Sequence, residues 1–272
     1  MIKIIKDRFK DMVIIVTGAA GGIGKAIALR AAKEGAKLVL ADVKEEMSKE
    51  TLKEIKEITP NVEFVIGDLK EADNCKKVID TAIEKFNGLD ILINDAGITG
   101  TPAPVHEMSE EMFRHVFDCN VMTAFNCSHF AIKEMLKLDK GGAIINVSSV
   151  AGLTGFPGHS AYVTSKHALN GLTRNMALDY AKNGIRVNAV NPGTTDTPMY
   201  HEALEFLKRK REEAKKAGID TKGGIVSGKT VSPQNRVASA EEVGDVVLFL
   251  ASNEASNVTG IFMPVDGGFT AF

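Results

Sequence analysis

Short runs of β-branched and other apolar residues alternate along this chain with longer amphipathic stretches, and few folds accommodate that rhythm. The runs are 12–17, 37–41, 62–66, 89–93, 143–147, 185–190 and 261–265. Most are apolar at consecutive positions, as strands covered on both faces must be. Between them lie helical patterns over 23–35, 45–57, 72–86, 109–137, 160–183 and 240–252. Strands separated by helices pair in parallel through right-handed crossovers. The expected fold is therefore α/β: a Rossmann-like, doubly wound, seven-stranded parallel sheet with helices on both faces. No linker or internal repeat divides the 272 residues, so a single domain over 1–272 is expected.

One segment departs from the rhythm. Residues 199–235 form a long insertion between the sixth and seventh strands, opening with a charged helix at about 201–217. Its place after a strand's C-terminal end predicts a substrate lid rather than a loose surface loop.

Composition narrows the partners. Lysine and arginine total 33 and the acidic residues 35, a formal charge of −2. Such a chain offers no strong basic field to nucleic acid or an acidic membrane. Its longest apolar runs are too short to span a bilayer, and its first residues lack a signal-peptide core. A cytoplasmic protein is expected. Cys75, Cys119 and Cys127 have neither metal nor redox spacing and are read as reduced, mostly buried thiols, Cys119 as a core residue.

The first strand runs into Thr17-Gly-Ala-Ala-Gly-Gly-Ile-Gly24, and a helix follows. Glycines let a backbone turn sharply and approach a pyrophosphate, and the helix N-terminus offers free N–H groups to the anion. A glycine cluster alone is weak evidence, but between a strand and a helix it predicts a dinucleotide site. Asp42, eighteen residues past Gly24, ends the second strand, where an acid binds the adenosine ribose hydroxyls. Its carboxylate would repel a 2′-phosphate, and neither neighbour is an arginine, so NAD is predicted over NADP.

With these motifs in place, the sequence resembles the short-chain dehydrogenase/reductase family in its single-domain form. The resemblance covers residues 12–269. It rests on Thr17 to Gly24, Asp68, Asn94-Asp-Ala-Gly97, Asn120, Ser149, Tyr162-Val-Thr-Ser-Lys166, Pro192-Gly193 and Val265-Asp-Gly-Gly268. It implies a catalytic set of Asn120, Ser149, Tyr162 and Lys166. It implies cofactor contacts from Thr17, Gly18, Gly22, Ile23, Gly24, Asp42, Asp68, Leu69, Asn94, Ala96, Gly97, Tyr162, Lys166, Pro192, Gly193, Thr195 and Thr197. Within that set, Asp68 holds the adenine ring, Asn94 supports cofactor and sheet, and Thr197 bonds the nicotinamide carboxamide. Asn120 is implied to hold a water linking Lys166 to solvent. The family usually has a second Asn where this chain has Asp95, which adds a charge near the cofactor edge. Homotetramers, or dimers, are implied through helices near 109–137 and 160–183 and the last strand.

The residues themselves suggest the chemistry. Tyr162 and Lys166 are four apart, on one face of a helix. A free tyrosine, with a pKa of about 10, is a poor base, and a neighbouring ammonium is expected to lower that value. Tyr162 then takes or gives the proton while the nicotinamide carries hydride. Ser149 would bond the substrate oxygen, with Ser148 structural. His159 is read equally as pocket-lining or as exposed, with 99–106 and 151–159 as pocket walls. A hydrolase is disfavoured because no G-x-S-x-G surrounds Ser149. A metal site is disfavoured because the six histidines are scattered. The expected activity is NAD-dependent interconversion of a small or cyclic secondary alcohol and its ketone, such as a hydroxysteroid, a bile acid or a sugar-derived polyol. A 3-oxoacyl carrier-protein reductase is the enzymatic alternative, and a non-catalytic NAD-binding sensor the alternative of another class.

Overall fold

The computed structural model describes residues 4–216 and 232–271. Its strands are β1 (Val13–Thr17), β2 (Lys37–Asp42), β3 (Val62–Ile66), β4 (Ile91–Asn94), β5 (Gly142–Val147), β6 (Ile185–Pro192) and β7 (Phe262–Val265). They form one sheet in the order β3-β2-β1-β4-β5-β6-β7, with every neighbouring pair parallel. The helices are α1 (Gly22–Lys33), α2 (Glu45–Lys56), α3 (Ala72–Phe86), α4 (Glu110–Phe117), α5 (Thr123–Leu138), α6 (Ser160–Tyr180), α7 (Pro198–Lys216) and α8 (Ala240–Ala251). None of them is long and apolar enough to cross a membrane.

The sheet is buried on both faces because each strand alternates between two cores. Ile14 and Val16 of β1 pack with Ile27 and Ala31 of α1 and Val243 and Val247 of α8. Val13 and Ile15 point the other way, towards Val78 and Ile79 of α3, Met135 of α5 and Met176 of α6. That is why the strand sequences read as continuous apolar runs rather than as alternation.

The helix expected over 109–137 is interrupted. α4 ends at Phe117, and 118–122 form a wider π-type turn before α5 resumes. Thr123 Oγ donates to the Asp118 carbonyl at 3.3 Å, five residues back. Apolar periodicity carries no trace of one extra residue per turn, so the break is invisible in the pattern. Such turns concentrate at functional sites, and Asn120 lies within this one.

Strand order reverses beside β1: the chain leaves it for β2 on one side and returns to β4 on the other. The crevice at the carboxyl ends of β1 and β4 is where α/β sheets of this kind bind ligands. Of the expected lid, 198–216 forms α7 after β6. Residues 217–231 lie outside the described residues.

A buried acid fastens the edge of this frame. Glu34, fully buried past the end of α1, accepts from Arg8 and Arg30, each at 2.6 Å, and from the Ile5 backbone N–H at 3.0 Å. Removing Glu34 takes a shared buried acceptor from both arginines, leaving Arg8 with Glu254 at 3.5 Å and Arg30 with Asp245 at 3.2 Å. Glu34→Ala is expected to cost about 3 kcal/mol of unfolding free energy, read from urea unfolding.

Candidate active site

The glycine turn is built for close approach. Gly18 and Gly22 have φ of +68° and +56°, in the left-handed region that disfavours side chains. A Cβ on Gly18 would stand 2.9 Å from the Ala96 backbone, and one on Gly24 would stand 2.8 Å from the Gly18 carbonyl carbon. Thr17 is buried beneath the turn. Its hydroxyl donates to the Ile93 carbonyl at 3.4 Å and accepts the Asp95 and Ala96 N–H groups at 3.1 and 3.2 Å. It holds the β1 and β4 ends together rather than lining the cleft.

Above the turn lies a cleft of about 560 Å³ lined by Gly18, Gly22, Ile23, Asp42, Asp68, Leu69, Asp95, Ala96, Gly97 and Thr197, among others. Asp42 is fixed by accepting the Ala20 and Lys44 N–H groups, each at 3.0 Å. Asp68 accepts the Lys70 backbone N–H at 3.0 Å and pairs with its ammonium at 3.1 Å. Asn94 is placed elsewhere. Its amide is buried and donates to Ser128 at 3.1 Å and Asn146 at 2.9 Å, so it braces the sheet and does not reach the cleft. Cys119, expected in the core, is half-buried and lines the cleft with its Sγ 4.0 Å from the His115 ring. The π-type turn buries Asn120 and leaves its neighbour facing the cleft.

A second pocket of about 300 Å³ adjoins the first and contains Ser149, Tyr162, Lys166, Pro192, Gly193, Thr195 and Thr197. Ile23, Asp95, Gly97 and Thr197 line both spaces. The Ser149 hydroxyl, just past β5, accepts the Ala151 backbone N–H at 3.1 Å and shares the pocket with the Tyr162 phenol. Lys166 is buried and donates to the Val147 carbonyl at 2.9 Å, with its Nζ 5.7 Å from the Tyr162 ring centre. Burial pulls the Lys166 ammonium down to about 8, against the opposing pull of the Asp95 carboxylate. The expected lowering of Tyr162 is not what this arrangement produces. Burial pushes the phenol up, the Ser149 hydroxyl offsets part of that, and the Asp95 charge adds to it. The lysine's direct bond goes to a carbonyl, not to the phenol oxygen.

Asn120 binds both ends of the Ile98 peptide. It accepts the N–H at 2.7 Å and donates to the carbonyl at 2.9 Å, with a second donor bond to Ser165 at 2.9 Å. Its N–H groups are thus spent on protein partners that tie the loop after β4 to α6, and any water link must use other atoms. Ser148 donates to the Lys166 carbonyl at 3.2 Å, a structural role as expected.

The pocket walls differ in part from expectation. Phe156 and His159 line the pocket, joined by Met199, Tyr200 and Ala203 from α7. Of 99–106 only Thr99 reaches it. Ala103 instead braces the 151–159 loop, donating to the Gly158 carbonyl at 2.8 Å. Tyr200 and Phe156 were missed as individual residues. Their signal was position: one on the helix entering the lid, the other in the loop before Tyr162.

Known proteins resemble this chain along nearly its whole length. A family model described as Enoyl-(Acyl carrier protein) reductase matches residues 18–270. The chain is 40% identical over 272 residues to a 3beta-hydroxysteroid dehydrogenase of Mediterraneibacter gnavus, covering 98% of each chain. It superposes on a crystal structure of levodione reductase with a TM-score of 0.87 at 32% identity, covering 97% of this chain and 99% of the other. A short-chain dehydrogenase from Mycobacterium paratuberculosis bound to NAD gives the same score at 30% identity, covering 97% and 100%. The chain belongs to the short-chain dehydrogenase/reductase family. It is an oxidoreductase of the class that acts on alcohol and ketone groups.

Truncating Asn120 strands both Ile98 backbone groups in a part-buried site. Asn120→Ala is expected to lose about 2 kcal/mol of stability, measured by chemical denaturation.

Proposed function

We propose that this protein interconverts a ring-bearing secondary alcohol and its ketone with NAD as cofactor. The observation that carries the reading is the grouping of Ser149, Tyr162 and Lys166 in one pocket that shares walls with a glycine-lined cleft. The cleft fits a dinucleotide because any side chain at Gly18 or Gly24 would collide with backbone. Asp42 at the far end supports NAD over NADP, since its carboxylate suits ribose hydroxyls and repels a phosphate. Gly18, Gly22, Gly24, Asp42, Asp68 and Gly97 would hold the dinucleotide, with Thr195 and Thr197 at its nicotinamide end. Bound there, the nicotinamide supplies or accepts the hydride.

The chain's own residues manage the oxygen and its proton. The Ser149 hydroxyl bonds the substrate oxygen and stabilises the charge that develops there. Tyr162, its pKa raised by burial, stays protonated across the neutral range and gives its proton to a ketone oxygen in the reductive direction. The Lys166 ammonium stabilises the phenolate left behind. Val150, Phe156, Met199 and Ala203 give the pocket an apolar wall suited to a ring. The relatives named for a hydroxysteroid and for levodione support a cyclic substrate.

Tyr162→Phe is expected to lower kcat by about 10²–10⁴-fold while NADH binding persists. Reduced-nicotinamide absorbance with cyclohexanol, a 3β-hydroxysteroid and a polyol checks the substrate class, and turnover of the polyol alone overturns it. Asp42→Ala is expected to erase a preference for NAD, and a parent protein that already favours NADP contradicts the cofactor reading. We also read the chain as a homotetramer, supported by exposed Phe125 on α5 and Leu178 on α6. Sedimentation velocity tests this, and a monomer at micromolar concentration refutes it.

A further inference from the structure

Asp95 stands where the two spaces of the site meet, one residue beyond β4. Its backbone N–H is fixed by the Thr17 hydroxyl at 3.1 Å. Its carboxyl rests against the first turn of α1, beside the Gly24 backbone N–H, with Oδ2 2.9 Å from where a Gly24 side chain would start. That N–H is one of the free donors a helix N-terminus offers an anion. Asp95 thus sets its carboxyl against the anion-binding end of α1 and lines both the cleft and the Tyr162 pocket.

We propose that Asp95 makes cofactor binding proton-linked: the cleft accepts an anionic dinucleotide when the Asp95 carboxyl is protonated and repels it when the carboxyl is ionised. The inference rests on the dinucleotide reading of the cleft. The charged and titratable groups around Asp95 come from two elements. Lys166 of α6 favours the carboxylate, Asp42 at the end of β2 opposes it, and Tyr162 of α6 is a neutral phenol. From α1 it meets the Gly24 N–H. Removal from water outweighs the opposing pull of Lys166 and of the nearby Gly24 N–H and pushes the carboxyl up to about 7. The group is therefore divided between its two forms at neutral pH.

A pyrophosphate entering the cleft brings further negative charge, which raises the carboxyl again and draws a proton onto it. By linkage, affinity falls as pH rises through 7, and a proton is taken up on binding. NADH lacks the positive ring charge of NAD and is repelled more strongly.

Calorimetric titration of the whole protein with NADH and with NAD, from pH 6 to 8, tests this. A pKa shift of one unit between free and bound states, from about 7 to about 8, predicts that NADH affinity falls about fivefold across the range, and NAD affinity less. At pH 7, titrations in two buffers of different ionisation enthalpy should show proton uptake. Asp95→Asn keeps the shape and should flatten the affinity and abolish the uptake. The same substitution should raise the melting temperature more at pH 8 than at pH 5, because only ionised Asp95 burdens the fold. Parent protein that binds NADH without proton uptake overturns the proposal, and this readout needs no variant. So does an Asp95→Asn protein that keeps the slope, which assigns the proton to Lys166. Failure to bind either nucleotide at pH 6 sinks the dinucleotide reading itself, an outcome distinct from binding that ignores pH.

Discussion

The hydroxyl of Thr17 joins the two halves of the molecule at the point where its ligand crevice opens. A parallel sheet that reverses its strand order leaves β1 and β4 adjacent but sends their following loops in opposite directions. Nothing in the ladder beyond Ile93 holds those loops together. One fully buried hydroxyl does so, donating to Ile93 and accepting the next two N–H groups of the β4 loop. Asp95, Ala96 and Gly97 are thereby fixed against the glycine turn. The space Gly18 leaves by lacking a side chain is the space the Ala96 backbone needs. The cleft floor follows from two features together: the hydroxyl draws the loop in, and the glycine lets it arrive.

From that floor the site is organised by burial as much as by hydrogen bonding. Tyr162, Lys166 and Asp95 share one recess, and each is displaced from its ordinary protonation range. Desolvation disfavours charge on all three: it moves Tyr162 up, away from Lys166, and brings Asp95 and Lys166 towards one another. Such convergence is the condition under which protons pass between groups near neutral pH. It also sets a conflict. Asp95 helps keep Lys166 charged but opposes ionisation of Tyr162, so the same carboxyl supports one partner of the pair and restrains the other.

The parts of this design legible in the sequence are those that local chemistry dictates. Strands buried on both faces must be apolar at consecutive positions, so β1 to β7 are announced by residue type. Gly18 and Gly24 are required by backbone contact, and a four-residue interval on a helix brings Tyr162 and Lys166 to one side. What escaped depends on contacts distant in the chain. The π-type turn that buries Asn120 and exposes Cys119 to the cleft is sustained in part by Asn120's bonds to Ile98 and Ser165, which no periodicity encodes. The upward displacement of Tyr162 depends on how deeply α6 packs against β5. Likewise Ala103 looked like pocket wall because of its neighbours, yet its backbone is taken by Gly158.

The substrate side of the site follows a different logic from the cofactor side. Glycines, Asp42 and Thr17 are held by backbone bonds and tolerate little change of side chain. Phe156, Met199, Tyr200 and Ala203 meet the pocket only through their surfaces, and they stand on a loop and on the helix that enters the long insertion. Phe156 also stacks on Phe269 near the C-terminus, with ring centres 5.7 Å apart. Three segments far apart in the chain therefore meet at one wall, with no hydrogen bond among these apolar contacts to fix their identity. Side chains there can be exchanged without disturbing Ser149 or Tyr162, whose positions come from β5 and α6. Substrate choice is thus separable from proton transfer in this fold, because the groups that select and the groups that react are anchored to different elements.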